Sequence, residues 1–146
     1  MDLKGKKVLV FGAGKSGIGA ADLLGSVGAQ PVIYDGNAEL DKEAVLHKTN
    51  GKYQPEIWAG EFPEGALDSL DLVVLSPGVP TDLPLVKSFY KKGLPVWSEV
   101  ELAYRTGKGE VLAITGTNGK TTTTALLGKI MGDARESVFV VGNIGT

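Results

Sequence analysis

The sequence predicts an α/β fold: a doubly wound parallel sheet, followed by the first strand–loop–helix–strand unit of a second domain. Short runs rich in β-branched residues alternate with segments of helical periodicity as far as residue 97. The first run enters a helix through a glycine-rich loop, and a second strand–loop–helix sequence begins near residue 111. This alternation indicates a parallel sheet, because a connection between parallel strands needs a crossover, usually a helix.

Strands are predicted where apolar residues form short continuous runs. The first, residues 7–11 (KVLVF), ends at Gly12, and the fourth, residues 72–75 (LVVL), ends at Ser76. Runs of this kind are typical of strands that are buried on both faces. The strands predicted for the first domain are residues 7–11, 31–34, 56–59, 72–75 and 95–97.

Helices are predicted between these strands. From residue 16 to residue 27 the apolar side chains recur at helical spacing, and Gly28 follows as a C-terminal stop. Further helices are predicted at residues 39–48 and 85–92, with a short helix or connector at residues 99–105. Right-handed crossovers then place helices on both faces of the sheet.

The chain is predicted to contain two domains, residues 1–98 and 99–146. In the second, a helix at residues 121–131 lies between strands at 111–115 and 138–141. A lone strand–helix–strand unit has two apolar faces to cover and too little material for a core of its own. We therefore expect the chain to be a fragment that ends inside its second domain.

The first glycine-rich loop, residues 12–17 (GAGKSG), is a complete G-x-G-x-x-G sequence between a strand and a helix. Its glycines let the backbone approach a phosphate, and the helix N-terminus favours the negative charge. Lys15 lies in the loop, where it could meet a phosphate. Asp35 ends the second strand, close to the position of an acid that binds a ribose hydroxyl. These features favour a Rossmann-like nucleotide-binding domain, and the motif by itself indicates NAD or FAD.

The second glycine-rich loop (TGTNGKTT) begins at Thr115, after an apolar run, and opens a helix. Backbone N–H groups of such a loop form an anion nest, and Lys120 can reach the β- and γ-phosphates of ATP in a catalytic role. The Thr121 hydroxyl is placed to bind Mg2+. Ile114 stands where the general phosphate-loop pattern has its first glycine. The predicted ATP-binding residues are Gly116, Thr117, Asn118, Gly119, Lys120, Thr121, Thr122 and Thr123.

The shortened phosphate loop resembles that of the Mur ligases and of their relative, folylpolyglutamate synthetase. The N-terminal glycine-rich fold points away from folylpolyglutamate synthetase, in which the ATP domain comes first. The chain is most similar to the D-glutamate-adding branch of the Mur ligases. The matching segments are GAGKSG at Gly12, the strand-end Asp35, LSPGV at Leu75, SEVEL at Ser98, AITGTNGKTT at Ala113 and GNIG at Gly142.

The resemblance implies that the first domain binds the uridine diphosphate of a sugar nucleotide rather than NAD. By position, Lys15 and Ser16 lie at the diphosphate, and residues 35–37 lie around the uracil and the ribose. Gly78 packs against the nucleotide, and Asn143 approaches the sugar–peptide end. The substrate-binding positions that the resemblance implies are Gly14, Lys15, Ser16, Asp35, Gly36, Asn37, Gly78 and Asn143.

The implied reaction is a step of peptidoglycan precursor synthesis that uses ATP and Mg2+. ATP phosphorylates the carboxylate of UDP-N-acetylmuramoyl-L-alanine, and the amine of D-glutamate attacks the acyl phosphate to give a peptide bond, ADP and phosphate. The resemblance puts the second magnesium carboxylate, a modified lysine, a catalytic histidine and the amino-acid-binding domain beyond Thr146. We therefore expect this chain alone to lack ligase activity.

Composition argues against several other functions. The chain has 146 residues, a net charge of -2 and no basic stripe, so we expect no nucleic-acid partner. It contains no cysteine, which excludes a disulfide framework and a thiol nucleophile. No apolar stretch approaches the roughly 20 residues needed to cross a bilayer. We expect a cytoplasmic monomer that does not bind a membrane.

Two other functions stay open. An NAD(P)-binding domain of an oxidoreductase would use the first loop and have no use for the second. A non-catalytic sugar-nucleotide-binding module would differ from a ligase only in the sequence beyond Thr146.

Glu99 and Glu101 lie in the predicted connector between the two domains. Residues two apart on a helix point to different faces, which argues against a paired-carboxylate site. We interpret both as solvated connector residues.

Overall fold

A five-stranded parallel sheet forms the centre of the first of two units, Met1–Lys108 and Gly109–Thr146. The structure is a computed structural model and describes residues 2–142. The spatial order of the strands is β3-β2-β1-β4-β5, with the first strand of the chain at the centre. The strands are β1 (Lys7–Phe11), β2 (Gln30–Asp35), β3 (Glu56–Ala59), β4 (Leu72–Leu75) and β5 (Val96–Ser98).

Helices connect these strands close to the predicted positions. Helix α2 begins later than predicted because the Asp41 side chain accepts a hydrogen bond from the Ala44 N–H and caps the helix there. Among the described helices, none combines the length and apolarity that crossing a bilayer requires. The helices of the first unit are α1 (Lys15–Ser26), α2 (Lys42–Lys48), α3 (Pro84–Lys92) and α4 (Glu99–Thr106), with a short 3-10 helix at Ala66–Ser69.

Both faces of the sheet are buried. Val8 and Val10 of β1 pack in one apolar cluster with Leu24 of α1, whereas Leu9 packs in a second cluster with Phe89 of α3. All five of these side chains are buried. Because successive side chains of a strand point to opposite faces, α1 and α3 cover opposite sides of the sheet. The predicted doubly wound parallel arrangement is confirmed.

Helix α4 packs on the first unit. Its Leu102 is fully buried in the same cluster as the α1 residues, and the Arg105 guanidinium lies 4.8 Å from the centroid of the Trp97 ring. The first compact unit therefore extends to Lys108, past the domain boundary that the sequence predicts at residue 98. Leu102 is the buried residue of this helix, whereas Val100 and Tyr104 stay exposed, so Leu102 and the contact between Arg105 and Trp97 attach the helix to the first unit.

The second unit contains one helix, α5 (Lys120–Ala134), in its described part, at the predicted place. The strands predicted at residues 111–115 and 138–141 are not formed. A strand needs a hydrogen-bonded neighbour, and neither run pairs with another strand in the part of this unit that the structure describes. Their apolar side chains are correspondingly exposed.

Candidate functional site

A cleft of about 390 Å3 opens at the carboxyl ends of β1 and β4. The chain turns from β1 toward one side of the sheet and occupies β4 on the other, and open parallel sheets bind ligands at such switch points. The glycine-rich loop after β1 and the turn after β4 form its two walls. The lining residues are Gly12, Ala13, Gly14, Lys15, Ser16, Gly17, Asp35, Ser76, Pro77, Gly78 and Val79.

Two glycines of the loop are required by close packing. Gly12 has a φ of 115°, and a Cβ on it would lie 2.9 Å from the Cβ of Ser76. A Cβ on Gly17 would lie 1.9 Å from the Gly12 carbonyl oxygen, a distance that no side chain tolerates. The loop therefore passes close to the first turn of α1 and to the end of β4. Glycine is needed here for packing, whatever ligand the cleft binds.

Helix α1 points its N-terminus into the cleft. Gly14 is its N-cap residue and contributes no side-chain cap, and the first turn carries no acidic residue. The first N–H groups of a helix have no intrahelical acceptor, so those of Lys15 and Ser16 are available to an anion. Both side chains are exposed at the lining. The arrangement suits a phosphate or diphosphate group.

The carboxylate of Asp35 holds the loop to the end of β2. Its Oδ2 accepts a hydrogen bond from the Ala13 N–H and its Oδ1 accepts one from the Asn37 N–H, each at 3.0 Å. Each oxygen keeps a second lone pair that could accept a bond from a ligand. Asp35 therefore shapes the cleft as well as lining it.

The neighbouring Tyr34 phenol is a structural group. Burial, and then the negative charge of Asp35, raise the pKa of Tyr34 above its ordinary value. Its hydroxyl donates a hydrogen bond to the Gly60 carbonyl oxygen at 3.0 Å. The phenol is therefore neutral, and its proton is already engaged in this bond. It is not placed to exchange protons with a ligand.

The turn after β4 is tied to helix α4. The Ser76 hydroxyl donates a hydrogen bond to Glu99 Oε1 at 2.7 Å, and the Val79 N–H bonds the Ser76 carbonyl oxygen at 3.0 Å. Glu99 is half-buried, so its interpretation as a solvated connector residue is wrong. The bond joins residues 23 positions apart, and no local pattern in the sequence signals it.

The structure brings most of the predicted substrate-binding residues together. Gly36 and Asn37 follow β2 outside the lining of the cleft, and the Asn37 side chain accepts the Glu39 N–H to shape its own turn. Asn143 lies outside the described residues. The predicted residues that line the cleft are Gly14, Lys15, Ser16, Asp35 and Gly78.

Several lining residues were not predicted as binding positions. Those in the glycine-rich loop could have been found from the motif itself, because the whole loop forms one wall. Those in the turn come directly after the predicted fourth strand, and strand ends on one edge of a parallel sheet meet there. These residues are Gly12, Ala13, Gly17, Ser76, Pro77 and Val79.

In the second unit, the loop that precedes α5 contains two glycines in conformations that other residues rarely adopt. Gly116 and Gly119 have φ values of 150° and 75°, and Gly119 is the N-cap residue of the helix. A Cβ on Gly119 would meet no atom within 4 Å, so the space beside the loop is open. The Lys120 ammonium lies over the loop, where it donates to the carbonyl oxygens of Gly116 and Thr117. Every predicted residue from 116 to 123 lies in this loop or in the first turn of α5.

The comparisons with known proteins agree with the resemblance drawn from the motifs. Residues 6–98 match the family model described as Mur ligase MurD-like, N-terminal domain. The chain belongs to this Mur ligase family. The glycine-rich loop and the turn after β4 both lie inside the matched range.

Relatives of this Mur ligase chain are named UDP-N-acetylmuramoylalanine–D-glutamate ligase. One from Lachnospira eligens is 57% identical over 99% of the chain, and one from Lachnoclostridium phytofermentans is 54% identical over the same share. The chain spans about a third, 32%, of the length of each. A solved murein peptide ligase from Psychrobacter arcticus shares the fold with a TM-score of 0.59 at 23% identity, over 89% of this chain and 27% of that one.

Proposed function

We propose that the chain provides the sugar-nucleotide site and the ATP phosphate loop of a ligase that adds D-glutamate to UDP-N-acetylmuramoyl-L-alanine. The observation that carries the proposal is the 57% identity, over almost the whole chain, to a relative that bears this activity in its name. The geometry of both loops is compatible with it. The ligase acts in the synthesis of peptidoglycan precursors, and we propose that it works in the cytoplasm as a monomer.

In the first unit, the cleft between the loop and the turn is the proposed site of the uridine diphosphate. The N–H groups that begin α1, with the side chains of Lys15 and Ser16, would hold the diphosphate. Asp35, Gly36 and Asn37 would lie around the uracil and the ribose. Gly78 would face the nucleotide from the turn after β4, where the absence of a side chain leaves room for it.

In the second unit, residues 116–123 are the proposed ATP site. The positive φ values of Gly116 and Gly119 and the open space beside Gly119 are compatible with a bound phosphate. Lys120 would exchange its present carbonyl acceptors for phosphate oxygens. This exchange keeps its charge hydrogen-bonded both before and after ATP binds.

Thr121 is the proposed magnesium ligand of this chain. Its exposed hydroxyl lies in the first turn of α5, as a phosphate-loop threonine requires. No group of three or more His, Cys, Asp or Glu side chains suited to a metal occurs among residues 2–142. A hydroxyl with phosphate and water oxygens is an ordinary ligand set for Mg2+, which would neutralise part of the phosphate charge.

The proposed reaction transfers the γ-phosphoryl group of ATP to the substrate carboxylate. The amine of D-glutamate then displaces phosphate from the acyl phosphate, forming the peptide bond. The Lys120 ammonium would stabilise the negative charge on the transferring group. In this proposal the first unit binds the substrate and the second unit binds ATP.

The proposal is tested by phosphate release from ATP in the presence of UDP-N-acetylmuramoyl-L-alanine and D-glutamate. A ligase of the relatives' length that carries this sequence should release phosphate only when both substrates are present. The 146-residue chain alone should release none above a heat-inactivated control, since it offers one magnesium ligand and no proposed site for D-glutamate. Phosphate release without dependence on D-glutamate contradicts the proposal.

A further inference from the structure

The Ser76 side chain fills the space between two glycines of the first loop. A Cβ on Gly12 would lie 2.9 Å from the Ser76 Cβ, and a Cβ on Gly17 would lie 3.1 Å from its Oγ. Ser76 therefore supports the loop from the side of β4. The Ser76 side chain therefore lies at the contact between the two walls of the cleft.

The Glu99 carboxylate orients the Ser76 hydroxyl through a hydrogen bond. A hydroxyl has one proton, and Ser76 donates it to Glu99 Oε1 at 2.7 Å. A hydrogen bond to a carboxylate is shorter and stronger than one between neutral groups. Glu99 does not itself line the cleft, so any effect it has on a ligand passes through Ser76.

Glu99 is held in place by the helix that it begins. Ser98 caps this helix by accepting the Glu101 N–H at 3.1 Å, and Leu102 is fully buried in the cluster that contains the α1 side chains. A carboxylate in the first turn is favoured by the helix dipole. The carboxylate is therefore fixed relative to α1, the helix whose N-terminus faces the cleft.

We propose that Glu99 is a positioning residue of the nucleotide site: through Ser76 it sets the spacing between the turn at residues 76–79 and the loop at residues 12–17. The inference rests on the proposed function, because the spacing matters when a diphosphate lies between these walls. A purely structural role for Glu99 would lower stability and leave the affinity for the nucleotide unchanged. A positioning role changes the affinity while the chain remains folded.

Calorimetric titration of the 146-residue chain with UDP, alongside thermal unfolding, separates these roles. Glu99→Ala should weaken UDP binding about tenfold, because one hydrogen bond to a charged group is lost from the support of the site. Glu99→Gln keeps an acceptor and should restore most of the affinity. Glu101→Ala is the matched control, since Glu101 pairs with Arg105 on the same helix.

Ser76→Ala tests the same connection from its other end. It should weaken UDP binding about as much as Glu99→Ala does. The double variant should bind UDP no more weakly than either single variant, because both substitutions remove the same hydrogen bond. This variant also decides the matter if Glu99→Ala does not fold. Additive losses, or a Glu99→Gln variant as weak as Glu99→Ala, contradict the inference.

The unchanged chain separates failure of the inference from failure of the proposed function. Saturable UDP binding that Glu99→Ala and Ser76→Ala leave unaltered overturns the inference alone. Absence of saturable UDP binding to the unchanged chain overturns the proposed sugar-nucleotide site, and this inference with it.

Discussion

Asp35 Oδ2 accepts a hydrogen bond from the backbone N–H of Ala13 at 3.0 Å, which joins the end of β2 to the loop after β1. An acid at this position in a dinucleotide-binding fold is expected to bind a ribose hydroxyl. Here each oxygen of the carboxylate already accepts one backbone N–H. The residue has a structural role in the loop before any ligand arrives.

We expect Asp35→Asn to loosen the loop. An amide offers one oxygen where the carboxylate offers two, so either Ala13 or Asn37 would face an N–H donor instead of an acceptor. The free energy of unfolding should fall by roughly 1 kcal/mol in urea titrations, and UDP affinity should fall as well. Glu39→Gln makes the same chemical change at an exposed position nearby and should do neither. Unchanged stability and UDP affinity in Asp35→Asn would contradict a role for Asp35 in holding the loop.

Gly17→Ala should disrupt the cleft. Its Cβ would lie 1.9 Å from the Gly12 carbonyl oxygen, so the loop must move and UDP binding should be lost. Gly19→Ala on the same helix is the control, because a Cβ there meets no atom within 4 Å. That substitution should raise the free energy of unfolding by roughly 0.5–1 kcal/mol through helix propensity. Retention of UDP binding in Gly17→Ala would show that the loop around Gly12 can accommodate a side chain.

In a ligase of the relatives' length, Lys120→Ala should lower turnover by about 100-fold or more, because a preorganised charge at a transferring phosphoryl group contributes a few kcal/mol. The side chain is exposed and donates its hydrogen bonds to loop carbonyl oxygens, so circular dichroism and thermal unfolding should change little. Lys129→Ala, an exposed lysine on the same helix, is the matched control and should leave turnover unchanged. Near-normal turnover in Lys120→Ala would exclude the lysine from phosphoryl transfer.

Asp71 should contribute to stability in a pH-dependent way. The Lys6 ammonium, 2.9 Å from Oδ1, and the Lys7 N–H, 2.9 Å from Oδ2, lower the pKa of Asp71 below its ordinary value. Since the folded-state pKa is the lower one, the contribution is complete above about pH 4 and is lost as the pH falls through the folded-state pKa.

Urea unfolding at about pH 7 and about pH 3 of Asp71→Asn and the unchanged chain checks this sign. The variant should be less stable at the higher pH, and the difference between the two should shrink at the lower one. Asp82→Asn, an exposed acid, should give no such dependence. A difference that grows on acidification would contradict the assignment.

The sheet could be predicted from the sequence because its strands are buried on both faces. Runs such as KVLVF and LVVL carry that signal whatever packs against them. The predicted strands at residues 111–115 and 138–141 carry a similar signal and do not form. Strand formation depends on a neighbouring strand, and a local apolar run does not show whether such a neighbour is present.

The part of the cleft that belongs to a local motif could be predicted from the sequence. The loop residues Lys15 and Ser16 belong to a local motif, so their place at the helix N-terminus follows from spacing. The bond between Ser76 and Glu99 could not be predicted, because it depends on how α4 returns to the sheet. The second role of Asp35 was missed because a carboxylate at a strand end suggests a ligand before it suggests a neighbouring loop.

The most direct test is a comparison of UDP-N-acetylmuramoyl-L-alanine, UDP and NAD as ligands of the unchanged chain, by calorimetry or ligand-observed NMR. The glycine-rich motif alone indicates NAD, whereas the proposed function requires a uridine nucleotide. The turn after β4, with Pro77 and Pro80 and a hydrogen bond from the Val79 N–H to the Ser76 carbonyl oxygen, should narrow the cleft to one nucleotide and its diphosphate. We predict saturable binding of both uridine nucleotides and none of NAD at the same concentration. Saturable NAD binding without a response to either uridine nucleotide would contradict the account and favour an oxidoreductase domain.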